Sequence, residues 1–233
     1  MQVTSFKELL RQTDEQFHKV VPFNAAKDNL LRMDFTERNT SLNEGVLGDA
    51  VKFAGYINER LKSAHCKYGI GGYKENRVVY QQHPLFNNNE EEPRSIHLGI
   101  DIWGDAGTLI YAPLNGTVHS FANNNRQGDY GGTIILQHNL NGLVFHSLYG
   151  HLSTNSLDGL AKGKKIAKGD LMAILGTAGE NGGWPPHLHF QLILDMEGRE
   201  GDYPGVCKPG EKEKYALNCP DPDLILGMMR YAI

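Results

Sequence analysis

From residue 96 onward the chain is cut into short β-rich runs, GTLIYA, GTVHSF, GTIILQH, LVFHSLY, LMAIL and HLHFQLIL, each bounded by Gly, Asn or Pro. Runs this short, dense in β-branched and aromatic side chains, suit pleated strands that must find neighbours to pair with. Many strands need many turns, and the 27 glycines exceed the roughly 16 that average usage would give. Asn115-Gly116 and Asn141-Gly142 are the strongest hairpin signals, because a tight type I′ turn needs positive φ at both central positions. The expected fold is mainly β, α+β overall: an antiparallel sheet domain over 93–197, a helical N-terminal region over 1–92 packing on it, and a loop-rich extension over 198–233.

Two stretches of the N-terminal region carry helical periodicity. Phe6, Leu9, Leu10, Phe17, Val20 and Val21 form one set, and Leu47, Ala50, Val51, Ala54, Ile57 and Leu61 the other. Ser41 with Glu44 fits a capping box before the second helix, and the glycines of YGIGGY, 68–73, read as its exit.

Composition narrows the partners. Twenty-three basic against 27 acidic residues give a net charge of −4 with no basic stripe, so nucleic acid is not expected. No apolar run reaches the length of a membrane span, and the first residues lack a secretory h-region, so the expected location is the cytosol. Cys66, Cys207 and Cys219 form no CxxC pair and are read as reduced thiols.

Chemistry concentrates in three short segments. Side chains alternate along a strand, so His97, Gly99 and Asp101 of HLGID share one face, as do His187 and His189 of HLHF. Leu188 and Phe190 then point to the core, and Gly99 keeps the space between His97 and Asp101 open. Two imidazoles and a carboxylate suit a divalent transition ion, most economically one zinc with water at the fourth position. Neither segment means much alone, but Tyr149-Gly150-His151 adds a further histidine ahead of the last strands.

In order and spacing, His97-Leu98-Gly99-Ile100-Asp101, Tyr149-Gly150-His151 and His187-Leu188-His189 resemble the motifs of the lysostaphin-type, LytM-like zinc metallopeptidases. The likeness extends through DAGTLIYAPLNGTV and KGDLMAILG, over about residues 94–195. It implies that His97, Asp101 and His189 hold zinc and that His151 and His187 flank the open coordination position. It also implies hydrolysis of a peptide (amide) bond in peptidoglycan-derived or other small peptides. Without HExxH there is no glutamate base by that route, so one flanking histidine takes the proton and the other serves the oxyanion.

The sequence departs from the family at Gly183-Trp184-Pro185-Pro186, where many members read T-G-P. Trp103, Trp184 and Tyr149 are the candidate substrate contacts, with packing against the strand start the competing reading for both tryptophans. Pro186, lacking an N–H, sets the start of its strand at an edge or a mouth. The lead-in YGIGGYKENRVVYQQHPLF, 68–86, with WPPHLHF, is also similar to metallopeptidase modules joined to kinase-like and aminotransferase domains in intracellular proteins. His119, His138 and His146 are expected to be structural or solvent-facing, and Arg77 with Tyr80 to be a surface arginine beside a packing tyrosine. The alternatives are a LytM-like module that only binds a partner, a non-haem iron oxygenase, and a cupin. The four-residue HxxxD spacing and Ile193 at the cupin glutamate position oppose the last two.

Overall fold

A computed structural model of the chain describes residues 3–13, 15–81, 85–86 and 92–233. Residues 82–84 of the lead-in and 87–91 lie outside this set. In chain order the N-terminal elements are α1 (Val3–Gln12), β1 (Leu30–Arg32), α2 (Glu44–Leu47), α3 (Ala50–Ser63), β2 (Tyr68–Gly71) and α4 (Val78–Gln81). Then come β3 (Ile96–His97), β4 (Ile100–Trp103), β5 (Leu109–Tyr111), β6 (Gly116–Asn124), β7 (Gly131–Leu140) and β8 (Leu143–Leu152). The chain continues with β9 (Lys165–Ile166), β10 (Leu171–Ile174), β11 (His187–Ile193) and β12 (Val206–Cys207), and with α5 (Lys212–Asn218) and α6 (Asp223–Leu226).

Among the described residues, eight strands form the main sheet in the order β1-β2-β4-β11-β8-β7-β6-β9. All its pairs are antiparallel except β1 with β2. The fold is mainly β, as the spacing of short runs predicts. The segment before residue 93, expected to be helical and to pack on the core, carries α1–α4 and also supplies β1 and β2 to the same sheet. YGIGGY is not a helix exit: Tyr68–Gly71 is β2, and its register against β4 sets Gly71 opposite Asp101.

Strand alternation decides what each face carries. Leu188, Phe190 and Leu192 of β11 join Ile100, Ile102, Ile134 and Tyr149 in the largest apolar cluster. The opposite face of β11 holds His187, His189 and Gln191, and it is buried too, each residue being at most 6% exposed. A sheet covered on both faces keeps water from its polar side chains, so each must find a protein partner or a ligand.

Several local expectations are corrected. Asn141 (φ 52°) and Gly142 (φ 84°) form the tight turn of the β7–β8 hairpin, with Leu140 opposite Leu143. Asn115-Gly116 makes no hairpin: Gly116 begins β6, whose partners are β7 and β9. The first periodic stretch is helical only to Gln12, and buried Val20 and Val21 lie in irregular backbone. The second is two helices parted at Gly48, capped by the side chains of Asn43 and Asp49 rather than Ser41. Its inward stripe is Phe53, Ile57 and Leu61, whereas Val51 faces solvent. No described helix is long and apolar enough to cross a membrane. The three cysteines are buried and free.

Candidate metal centre

HLGID is not one strand. The chain breaks at Leu98-Gly99, so His97 ends β3, which pairs with β12, and Asp101 lies on β4 beside β11. The convergence expected from alternation arises by another route: β4 and β11 pair with Asp101 directly opposite His189, and His97 swings in from the neighbouring two-stranded sheet. Gly99 is required at this crossing, because a Cβ there would stand 2.5 Å from His189 Cε1 and 2.8 Å from the Phe190 carbonyl.

The three donor atoms form a nearly equilateral triangle. His97 Nε2 is 2.9 Å from His189 Nδ1, which is 3.1 Å from Asp101 Oδ1, and His97 Nε2 is 3.3 Å from that same oxygen. A tetrahedral ion with arms of about 2.0–2.1 Å has ligand–ligand edges of about 3.3 Å, so the spacing fits zinc. The hydrogen bonds on the far sides of the rings make the stronger argument. His97 Nδ1–H donates to the Gly72 carbonyl (3.1 Å), and His189 Nε2–H donates to Gln191 Oε1 (2.9 Å). The Gln191 amide is itself oriented, since its Nε2 donates to the Pro204 carbonyl and toward Cys219 Sγ. With those protons spent, His97 Nε2 and His189 Nδ1 present bare lone pairs to each other and to a carboxylate oxygen. Three facing lone pairs repel unless a cation lies among them. Burial, then the Arg77 charge, pushes His97 down to about 3, which keeps the ring a neutral ligand.

Asp101 is 1% exposed, and its second oxygen is held by Arg77, itself 3% exposed. Arg77 also donates from Nε to Glu75 Oε2 (2.8 Å), and from its other nitrogens to Tyr80 Oη (3.1 Å) and the Gly71 carbonyl (3.3 Å). Burial opposes the Asp101 charge, but the buried Arg77 guanidinium holds the carboxyl well below its ordinary value. Arg77 is therefore no surface arginine: it is the buried counter-ion of the Asp101 carboxylate. Nothing local in the sequence marks it. Gln191 was legible in principle, because the alternation pairing His187 with His189 continues to position 191.

His151 and His187 lie beside the triangle with ring centroids 4.1 Å apart. His151 Nδ1–H donates to the Asn181 carbonyl (2.9 Å) and His187 Nδ1–H to the Pro185 carbonyl (2.7 Å), so each ring keeps its Nε2 lone pair. Burial lowers both; the neighbouring His187 lowers His151 further, whereas Asp101, 3.9 Å from His187 Nε2, partly restores His187. Regular alternation would have turned His151 to the core, because Gly150 pairs with His189. A β-bulge prevents this: residues 150 and 151 stand against the single residue 133, and His151 adopts φ 62°. A non-glycine residue in that region is strained, and the strain is what aims the ring at the site.

The expected substrate contacts divide. Trp103 stacks on His187 (5.8 Å, 20° between planes), and both Trp103 and Trp184 line the cavity over the site, which also touches His151, His187 and His189. Tyr149 does not reach it. It pairs across the strands with Phe190, is fully buried in the core, and receives a hydrogen bond from Ser147 Oγ (3.0 Å). The bulge reverses the side of residue 151 without moving 149, which separates the two. Pro186 lies at the mouth of an interior strand, not at an edge. His138 is buried between the Asn115 carbonyl and Ser147 Oγ, and His119 packs on His146, apart from the centre.

A curated relative, an uncharacterized metalloprotease of Haemophilus influenzae, is 32% identical over 131 residues, 54% of this chain; the chain spans about a quarter (25%) of that relative's length. Among solved structures, the catalytic domain of lysostaphin from Staphylococcus simulans is similar at 22% identity, over 69% of this chain and 97% of the other, with a TM-score of 0.42. A zinc containing peptidase from Vibrio cholerae is similar at 25% identity, over 53% of this chain and 32% of the other, with a TM-score of 0.36. The profile of peptidase family M23 matches residues 95–200, the stretch that carries all three motifs and the converging donors. That segment, a little under half of the chain, therefore carries a peptidase family M23 domain.

Proposed function

We propose that the protein is a zinc-dependent peptidase hydrolysing a peptide (amide) bond in peptidoglycan-derived or other small peptides. The observation that carries this reading is the set of bare lone pairs on His97 Nε2 and His189 Nδ1 facing Asp101 Oδ1, with two more neutral histidines beside them. His97, Asp101 and His189 would hold one zinc ion per chain. Zinc, when bound, supplies Lewis acidity that polarises a carbonyl and lowers the pKa of water to about 7.

The chain's own residues do the rest. His187 is the better proton acceptor, because the imidazolium it becomes lies 3.9 Å from the Asp101 carboxylate, and the Pro185 carbonyl fixes its ring. His151, held by the Asn181 carbonyl, faces the same cavity; with a second proton taken up from solvent at Nε2 it would donate to the developing charge on the substrate carbonyl oxygen and return that proton when the oxygen reverts to a carbonyl. Trp103 covers His187 and shields the proton transfer from solvent.

The test is a zinc-loaded preparation offered muropeptides, glycyl peptides and other small amides, read by mass spectrometry. His97→Ala, Asp101→Ala and His189→Ala should release the metal. His151→Ala and His187→Ala should keep it and slow turnover by roughly 10² to 10⁴, the range general acid–base groups supply. Full activity in either of the last two would refute their roles.

A further inference from the structure

The cavity over the centre is about 390 Å³ and is only partly built by the family-matched segment. Phe35, Phe53, Val79 and Phe86 line it from chain that precedes residue 95, facing Trp103 and Trp184. These rings are contiguous. Phe35 lies 5.9 Å from Phe53 and 4.8 Å from Trp103, which in turn stacks on His187. Tyr80 bridges the other wall, 4.6 Å from Phe86 and 6.1 Å edge-on to Trp184. One apolar wall of the cleft therefore runs directly from His187 into side chains supplied by the chain before residue 95.

We infer that this cleft is a specificity subsite for a large apolar side chain, aromatic or branched aliphatic, on a residue flanking the scissile bond. The inference rests on the peptidase reading and goes beyond it by stating which peptides are cut. Phe35, Phe53, Val79, Tyr80 and Trp103 are already packed against one another, with Phe86 and Trp184 only partly buried, so the gain comes from the substrate: a phenylalanine or leucine would bury its own apolar surface against this wall, and a glycine has none to bury. The cavity is within the range of small-ligand sites; its aromatic wall faces a polar one with Arg94, Arg126, Asp129, Arg199 and Asp202, so the apolar subsite is one side of a cavity whose other side suits the polar backbone of a peptide. The placement also gives the N-terminal region a role: it selects the substrate that the matched segment would process.

Two measurements on the full zinc-loaded chain test this. In the first, short acetylated peptides differing only in Gly, Leu or Phe on either side of one bond are digested and the products weighed. The expected preference for Phe or Leu over Gly on one side is about 10- to 100-fold in kcat/KM, the factor that burying one large apolar side chain supplies. In the second, calorimetry compares L-phenylalanine hydroxamate with glycine hydroxamate. The aromatic probe should bind at least tenfold tighter, and Val79→Phe, which fills the cleft from a wall outside the centre, should bring the two within about twofold while leaving the glycine probe unchanged. Equal binding of the two probes by the unaltered protein overturns the subsite, whatever the variant does. Hydroxamate discrimination with no peptide cut would instead overturn the peptidase reading and leave the subsite standing.

Discussion

Replacing Arg77 by Met keeps an unbranched apolar stem and removes the guanidinium that holds Asp101 Oδ2 and Glu75. Both members of the main pair are essentially out of water, at 3% and 1% exposure. Deleting one partner of such a pair leaves an uncompensated buried charge and costs about 3–5 kcal/mol. For a chain of this size that is a fall in Tm of roughly 6 to 20 °C, at about 2–4 °C per kcal/mol. The loss belongs to the metal-free protein. A cation in the triangle compensates the same carboxylate from its other oxygen, so saturating zinc should recover more than half of the deficit. Urea unfolding of chelator-treated and zinc-saturated samples gives both numbers, and an Arg77→Met/Asp101→Asn double-mutant cycle isolates the coupling. A metal-free Arg77→Met protein within 1 kcal/mol of the parent, or a deficit that zinc enlarges, would show that Arg77 does not serve Asp101.

Gly99→Ala should abolish zinc binding in a protein that still folds, because its Cβ would press on His189 Cε1 at 2.5 Å; metal analysis after dialysis checks this, and full retention would contradict the crossing geometry. Gln191→Met should weaken zinc by about 10- to 100-fold in a chelator competition, since His189 Nε2–H loses the acceptor that fixes its tautomer. Acid should destabilise the fold through His138, which burial pushes down to about 4 from 6.5. The unfolded chain takes up this proton first, so stability is full above about pH 6.5 and falls as pH drops toward 4, by about 3 kcal/mol at most for this one group. Urea midpoints across that window should fall less steeply in His138→Gln, by close to one proton, and an unchanged slope would exclude His138 as the source.

The strands after residue 96 could be read from the chain because strand periodicity is local: six short runs between turn residues leave little else to form, and alternation along HLHF puts His187 and His189 on one face in any register. The Asn141-Gly142 turn was legible for the same reason, as both residues tolerate the positive φ the turn needs. Motif order adds the candidate donor set, His97, Asp101 and His189, because residue type and spacing do not depend on which strands pair. What no local pattern contains is which strands meet and where they bulge. His151 reaches the site, and Tyr149 does not, because of one extra residue in β8 opposite residue 133. Arg77 finds Asp101 because β2 pairs with β4, with Gly71 opposite Asp101, and brings in a stretch that reads as ordinary surface. The aromatic cleft joins rings from Phe35 to Trp184, far apart in the chain. Residue type and spacing determined the chemistry on offer; register and long-range packing, each the outcome of competing pairings summed over the whole core, decided which groups were buried together and therefore which charges had to be answered.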